Sequence, residues 1–231
     1  MERFERTRRL IGSEALNRLL NAKVMVFGVG GVGSYVVEAL ARSGVGEIIL
    51  FDSDNVAESN INRQIIATCD TVGLAKVDVA KDRILSINPN AKVVANHVFV
   101  DKEVIDSLDF SGVDYIVDAI DNVTAKIALV LKAKEQGVNI ISSMGTGNKL
   151  HPEMLKIADI SKTSVCPLAR VMRYELRQRG VNHLKVLYSE EKPITPQGDA
   201  RLPASISFVP SVAGLLIAGE VIRDISKIYK K

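Results

Sequence analysis

Five short polar stretches of this chain have residue types and spacings suited to a phosphorylated ligand. The first is Gly28-Val29-Gly30-Gly31-Val32-Gly33. Gly28 permits a tight turn, Gly30 lets the backbone approach a phosphate, and Gly33 lets a helix close onto a strand. A helix starting there offers unpaired N–H groups and the positive end of its dipole to an anion. A turn that only packs a helix on a strand would carry the same glycines. Asp52-Ser53-Asp54 follows roughly 20 residues later, where a carboxylate takes a ribose hydroxyl. Asp52 suits that role; Asp54 either shares it or caps the next turn. Asn60-Ile61-Asn62-Arg63-Gln64 sets one guanidinium among amides, which suits forked bonds to phosphate but also a solvated loop. In Gly73-Leu74-Ala75-Lys76 the lysine falls in a helix's first turn, where a cation is mildly unfavourable, so Lys76 is solvated or reaches for an anion. Asp118-Ala119-Ile120-Asp121-Asn122 places Asp121 where Mg²⁺ could sit between phosphates, although Asp121 or Asn122 could equally cap a helix.

The elements between these stretches bring them to one edge. Apolar runs predict strands over 23–27 and 47–51, joined by the glycine turn and a helix to residue 41. Strands over 92–100, 114–118 and 138–142 alternate with helices over 75–86, 101–108 and 123–136, which implies right-handed crossovers and a parallel sheet. The pattern then changes to a glycine-bearing loop over 142–152, a half-buried strand over 153–160, a helix over 165–179 and a strand over 183–188. A crossover loop over 189–205 and a helix over 208–228 follow, and Ser13 caps a short helix to residue 20. The expected fold is α/β, a doubly wound Rossmann-like sheet, parallel in its first half, with a mixed C-terminal extension. It forms a single domain over 1–231, with a nucleotide-binding half over 20–145 and a substrate-facing half over 146–231.

The composition agrees with a substantial core, since 47 % of the 231 residues are hydrophobic. A net charge of +3 permits a nucleic-acid partner without demanding one. Two cysteines, Cys69 and Cys166, cannot build a disulfide framework or a four-thiolate zinc site, which fits a reducing cytoplasm. The charged start, MERFERTRR, does not read as a signal peptide, and the apolar run over 206–222 is broken by Pro210, two glycines and Glu220. His97, His151 and His183 are scattered and read as structural. Arg170, Arg173 and Arg177 share one face of the helix over 165–179, with Leu168, Val171, Met172 and Leu176 opposite. That face is either solvated or a phosphate contact. Cys166, at the start of the same helix, is either a small packing residue or an acceptor thiol.

Taken in order, the GxGGxG turn, DxD, NxxRQ over 60–64, GxxK and DxxDN resemble the E1-like adenylating enzymes over nearly the whole chain. The resemblance implies ATP with Mg²⁺, and attack of a carboxylate on the α-phosphate. By motif position, Gly28, Gly30, Gly31, Gly33, Asp52 and Asp54 resemble the nucleotide cradle and ribose acids. Asn60, Arg63, Gln64 and Lys76 resemble the phosphate ligands, and Asp121 with Asn122 the metal-bearing loop, Asp121 being the Mg²⁺ carboxylate. Arg6 is similar to an arginine finger given by a second subunit, which implies a homodimer. The chain lacks the paired CxxC motifs of the sulfur-carrier activators. Its 142–152 loop, 161–180 segment and LKVLYSEEKP resemble instead the tRNA threonylcarbamoyladenosine dehydratase branch. That implies tRNA as partner, RNA contacts at Arg170, Arg173 and Arg177, a sulfur-relay protein as a candidate partner, and no DNA. The alternative within the fold is adenylation of the C-terminus of a ubiquitin-like sulfur carrier. From another class, an NAD-dependent oxidoreductase would use the glycine turn and Asp52 but have no need of NxxRQ or DxxDN.

Overall fold

Strand β1 (Lys23–Phe27) sets the frame. Val24 and Val26 enter one apolar layer, Met25 and Phe27 the other. A strand covered by helices on both faces reads as an unbroken apolar run, as residues 24–27 do. This computed structural model describes residues 2–197 and 203–228. Parallel to β1 run β2 (Glu47–Asp52) and β3 (Lys92–His97) on one side. On the other run β4 (Tyr115–Asp118), β5 (Asn139–Ser143) and β7 (Lys185–Ser189); β6 (Leu155–Asp159) closes the edge antiparallel to β7. The order β3-β2-β1-β4-β5-β7-β6 bears out the doubly wound expectation, with β6 as the mixed extension. One sheet runs through both halves of the chain.

Helices α2 (Ser13–Leu20), α3 (Gly33–Arg42), α4 (Lys76–Ile87) and α8 (Phe208–Ser226) cover one face through Leu19, Val36, Leu40, Ala80, Ile84, Ala213 and Ile217. The other face is covered by α5 (Lys102–Ser107), α6 (Val123–Glu135) and α7 (Pro167–Gln178) through Ile105, Leu129, Met172 and Leu176. Because the chain leaves β1 toward β3 and then returns to β4 on the opposite side, the switch point lies between β1 and β4. Ligands of such sheets bind there, beyond the carboxyl ends of the strands.

Most expected elements form within a few residues of their expected bounds, and the departures have local causes. Helix α1 (Glu5–Ile11) was not expected in the charged start of the chain. It shows no apolar period; Phe4 in the turn before it is buried against Gly44, and Ile11 at its end packs on the core. The strand expected over 92–100 stops at His97, where the Val98 N–H turns to the Asp52 and Asn96 carbonyls. The strand expected over 153–160 starts only at Leu155, after a single 3-10 turn at Pro152–Met154. On α7, Val171 does not pack inward; it is 45 % exposed. Residues 198–202 of the loop expected over 189–205 lie outside the described residues.

Candidate active site

A cleft of about 620 Å³ opens at the carboxyl edge of the sheet, within the usual range of small-molecule sites. The glycine turn forms its floor. Gly28 has φ +88°, and a Cβ there would lie 2.6 Å from the Ala119 carbonyl oxygen; a Cβ on Gly33 would lie 1.8 Å from the Gly28 carbonyl oxygen. Only glycine lets α3 start so close to β1 and β4. Gly30 differs, because a Cβ would meet nothing nearer than Gln64 Nε2 at 3.9 Å, and Gly31 is wedged between Arg63 and Pro210. Among the described residues the Gly30 and Gly31 N–H groups have no hydrogen-bond acceptor, so the floor presents donors to the cleft.

Asp52 ties that floor to β2. Its Oδ2 accepts the Val29 N–H at 2.7 Å and its Oδ1 the Asp54 N–H at 2.9 Å. Each carboxylate oxygen keeps a further lone pair for a hydroxyl. Lys76 is not solvated: it is the first residue of α4, its side chain is 6 % exposed, and its Nζ lies 2.6 Å from Asp54 Oδ2. The Asp54 side chain therefore caps no turn; it neutralises a buried ammonium in the cleft wall. Asn60 is buried, accepts the Ala57 N–H through Oδ1, and gives its carbonyl to the Arg63 and Gln64 N–H groups. Arg63 donates from Nη1 to the Ser59 carbonyl and to Asn62 Oδ1, while its Nε and Nη2 have no partner among the described residues. Gln64 is buried in the wall, and its Oε1 has no partner either. A buried amide left half satisfied beside a cleft is ready for a ligand or a water.

The opposite lip is the turn after β4. Asp118 and Lys126 are both fully buried, with Nζ 3.0 Å from Oδ2. Asp118 also accepts the Ser142 hydroxyl and the Ile120 N–H, and Lys126 donates to the Ile120 carbonyl. Asn122 caps α6 by accepting the Ala125 N–H at 3.0 Å, one of the two readings its sequence left open; it also lines the cleft. Asp121 lies between these fixed points, exposed, lining the cleft, its carboxylate without a partner among the described residues.

Sequence reasoning did not anticipate the far wall, built from Ser143 to Gly147 and Pro203 to Ser205. Two asparagines sew it together. Asn148 donates its backbone N–H to the Ala204 carbonyl and accepts the Ala204 N–H through Oδ1, and Asn62 donates to the Ser205 carbonyl. Glu191, buried, accepts the Leu150 and His151 N–H groups, and Lys149 donates to the Glu191 carbonyl. Burial holds the Lys149 ammonium below the usual lysine range. Phe99, 60 % exposed on the segment after β3, forms part of the rim. An apolar V-F-V between charged neighbours was the one signal for it in the sequence.

Residues 4–231 match the ThiF family. The chain belongs to that family. It is 43 % identical to tRNA threonylcarbamoyladenosine dehydratase of Bacillus subtilis, over 98 % of this chain and 96 % of that protein. Crystal structures of the Escherichia coli tRNA N6-threonylcarbamoyladenosine dehydratase superpose with a TM-score of 0.90 in complex with ATP, covering 97 % of this chain and 93 % of that one. For the AMP complex the score is 0.92, covering 100 % and 96 %; both are 33 % identical in sequence.

Not every site residue of this ThiF-family chain reaches the cleft. Arg6 is exposed on α1, without a partner among the described residues. Its helix lies at the amino edge of the sheet: Arg3 bonds the Ile87 carbonyl at the end of α4, and Phe4 abuts Gly44 before β2. The site is at the opposite edge. On α7, Arg170 and Arg177 are exposed, but Arg173 donates from Nη1 to Thr163 Oγ1 at 2.6 Å and the Thr163 carbonyl at 3.0 Å. Cys166, preceding α7, is buried. His97, His151 and His183 bond the Ser53 carbonyl, Glu153 and Asp159, all outside a metal cluster. No group of three His, Cys, Asp or Glu able to hold a metal occurs among the described residues. No described helix is long and apolar enough to cross a membrane.

Proposed function

We propose that this chain spends ATP to cyclise the threonylcarbamoyl group of a modified adenosine beside the tRNA anticodon. The observation that carries this reading is the similarity to the dehydratases across the whole chain, including the 146–231 half that builds the far wall. An inert carboxylate is a poor electrophile, because its leaving group would be oxide. Its oxygen attacks the α-phosphorus of ATP, the bond to the β-phosphate breaks, and pyrophosphate leaves with the electron pair. A carbamoyl nitrogen then attacks the acyl carbon, loses its proton to water, and AMP leaves with the carbon–oxygen electrons. Closure is intramolecular, so the protein need supply little beyond alignment and a sheltered cleft.

The roles follow from position. Asp52 takes the ribose hydroxyls. The N–H groups of Gly30 and Gly31, the free edge of Arg63, the amide of Gln64 and the ammonium of Lys76 hold phosphate oxygens, and Asn60 keeps that loop in shape. Asp121 suits Mg²⁺, which binds through one or two carboxylates plus phosphate oxygens and water rather than a cage of protein ligands. The ion would neutralise charge on the phosphates. Arg6 lies too far from its own cleft, so its role is in a second copy's site, within a two-fold dimer. Arg170 and Arg177 meet tRNA phosphates, with Arg173 contributing only the part of its guanidinium not bonded to Thr163. The reaction takes place in the cytoplasm, where unpaired Cys69 and Cys166 stay reduced.

The test incubates protein and ATP with unmodified tRNA, with tRNA bearing threonylcarbamoyladenosine, and with a ubiquitin-like sulfur carrier. Nucleoside mass spectrometry reads the loss of water. Loss from the modified tRNA alone is expected; AMP release driven by the carrier protein would replace this reading with the rival one.

A further inference from the structure

The arginines of α7 and its C-terminal cap are in different situations. Arg173 is partly spent on the turn at Thr163, and Arg179 pairs with Glu175 at 2.7 Å. Arg170 and Arg177 are exposed, and their guanidiniums have neither a hydrogen bond nor an ion pair among the described residues. Between them stands Tyr174, 63 % exposed, its hydroxyl also without a partner. At about 100° per residue, Arg170, Tyr174 and Arg177 fall within about 60° of arc along the outer face. Ala169, Met172 and Leu176 are buried behind them. An aromatic ring is thus held in solvent between two unpaired cations two turns apart.

That combination matches single-stranded nucleic acid. Cations follow the phosphates, and a ring gives an unpaired base a face to stack on. A duplex keeps its base faces covered, and an acidic peptide would use the cations without needing the ring. The helix that carries the stripe reaches the cleft at its first turn, where Leu168 lines the cleft from the opposite face of α7, about 9 Å along the axis from Tyr174. We propose that Tyr174, flanked by Arg170 and Arg177, is a stacking platform for an unpaired base of the RNA loop whose modified nucleotide enters the cleft. This rests on the tRNA reading above and assigns that substrate a residue the motifs do not mark.

Fluorescence anisotropy with a labelled RNA hairpin carrying the anticodon loop, the same sequence as a blunt duplex, and a polyglutamate peptide tests the assignment. Tyr174→Ala weakens hairpin binding by about 5- to 150-fold, the usual value of one base–aromatic stack, and leaves the salt slope unchanged. Tyr174→Phe retains binding within about twofold, because stacking does not need the hydroxyl. Arg170→Ala with Arg177→Ala lowers the slope of log K against log salt by about 1.4. Melting temperature, which an exposed side chain does not govern, confirms that each variant folds. A Tyr174→Ala loss within twofold, or an equal loss on the duplex or the peptide, overturns the platform. Wild-type protein that neither binds the hairpin nor removes water from modified tRNA overturns the underlying reading too. Wild-type dehydration with Tyr174→Ala binding unchanged overturns the platform alone.

Discussion

Lys126→Met removes one partner of a fully buried ion pair and leaves Asp118 with the Ser142 hydroxyl and the Ile120 N–H. Stranding a charge in this way costs about 3–5 kcal/mol. Urea unfolding at pH 7 should therefore give a deficit of about 3–5 kcal/mol. Adding Asp118→Asn removes the stranded charge and should recover at least half of the loss at pH 7. A deficit below about 1 kcal/mol at pH 7, or no recovery on adding Asp118→Asn, would refute the claim that Lys126 is what makes a charged Asp118 tolerable in the core. The same variant frees the Ile120 carbonyl, so the lip carrying Asp121 should loosen; faster amide exchange at residues 119–122 is the accompanying sign.

Asp121→Asn should slow pyrophosphate release with modified tRNA by roughly 10²–10⁴ while the protein still folds, and near-normal turnover would place the metal elsewhere. Gly33→Ala drives a methyl into the Gly28 carbonyl oxygen at 1.8 Å; calorimetry should find ATP binding lost, with urea unfolding reporting about 1–3 kcal/mol of strain. Glu38 is buried, which pushes its carboxyl up, but the Arg83 and Arg42 guanidiniums overcome this and hold it below the usual range. Its pairs therefore stabilise the fold above the unfolded value and cease to as pH falls through the depressed one. The melting-temperature gap between wild type and Glu38→Gln should be widest above about pH 5 and close well below about pH 4.

How far the sequence anticipates the molecule depends on how local the cause is. The glycine turn, Asp52 and the cap at Asn122 are legible because each is fixed by the strand–turn–helix it sits on, within a few residues. The inner strands β1, β4 and β5 are legible for a related reason, since parallel strands covered on both faces need apolar runs, while β6 is legible from its half-buried alternation. Lys76 marks where this ends. Its place in a first helical turn is readable, but its burial depends on Asp54 arriving from the end of β2, twenty-two residues earlier. The far wall lies wholly beyond local reading: Asn62 meets Ser205 and Asn148 meets Ala204 across gaps of 143 and 56 residues. Arg173 and Arg177 look equivalent by helical spacing, yet Thr163, outside the helix, draws one guanidinium inward and leaves the other in solvent. The cleft thus has two kinds of wall. The side that carries the glycine turn, Asp52, Arg63 and Lys76 is written in short motifs. The side made of distant loops has no such motif and is assembled by bonds between residues far apart in the chain. Exchanging residues 143–148 and 203–205 for those of another member should therefore leave ATP binding in place, which calorimetry checks.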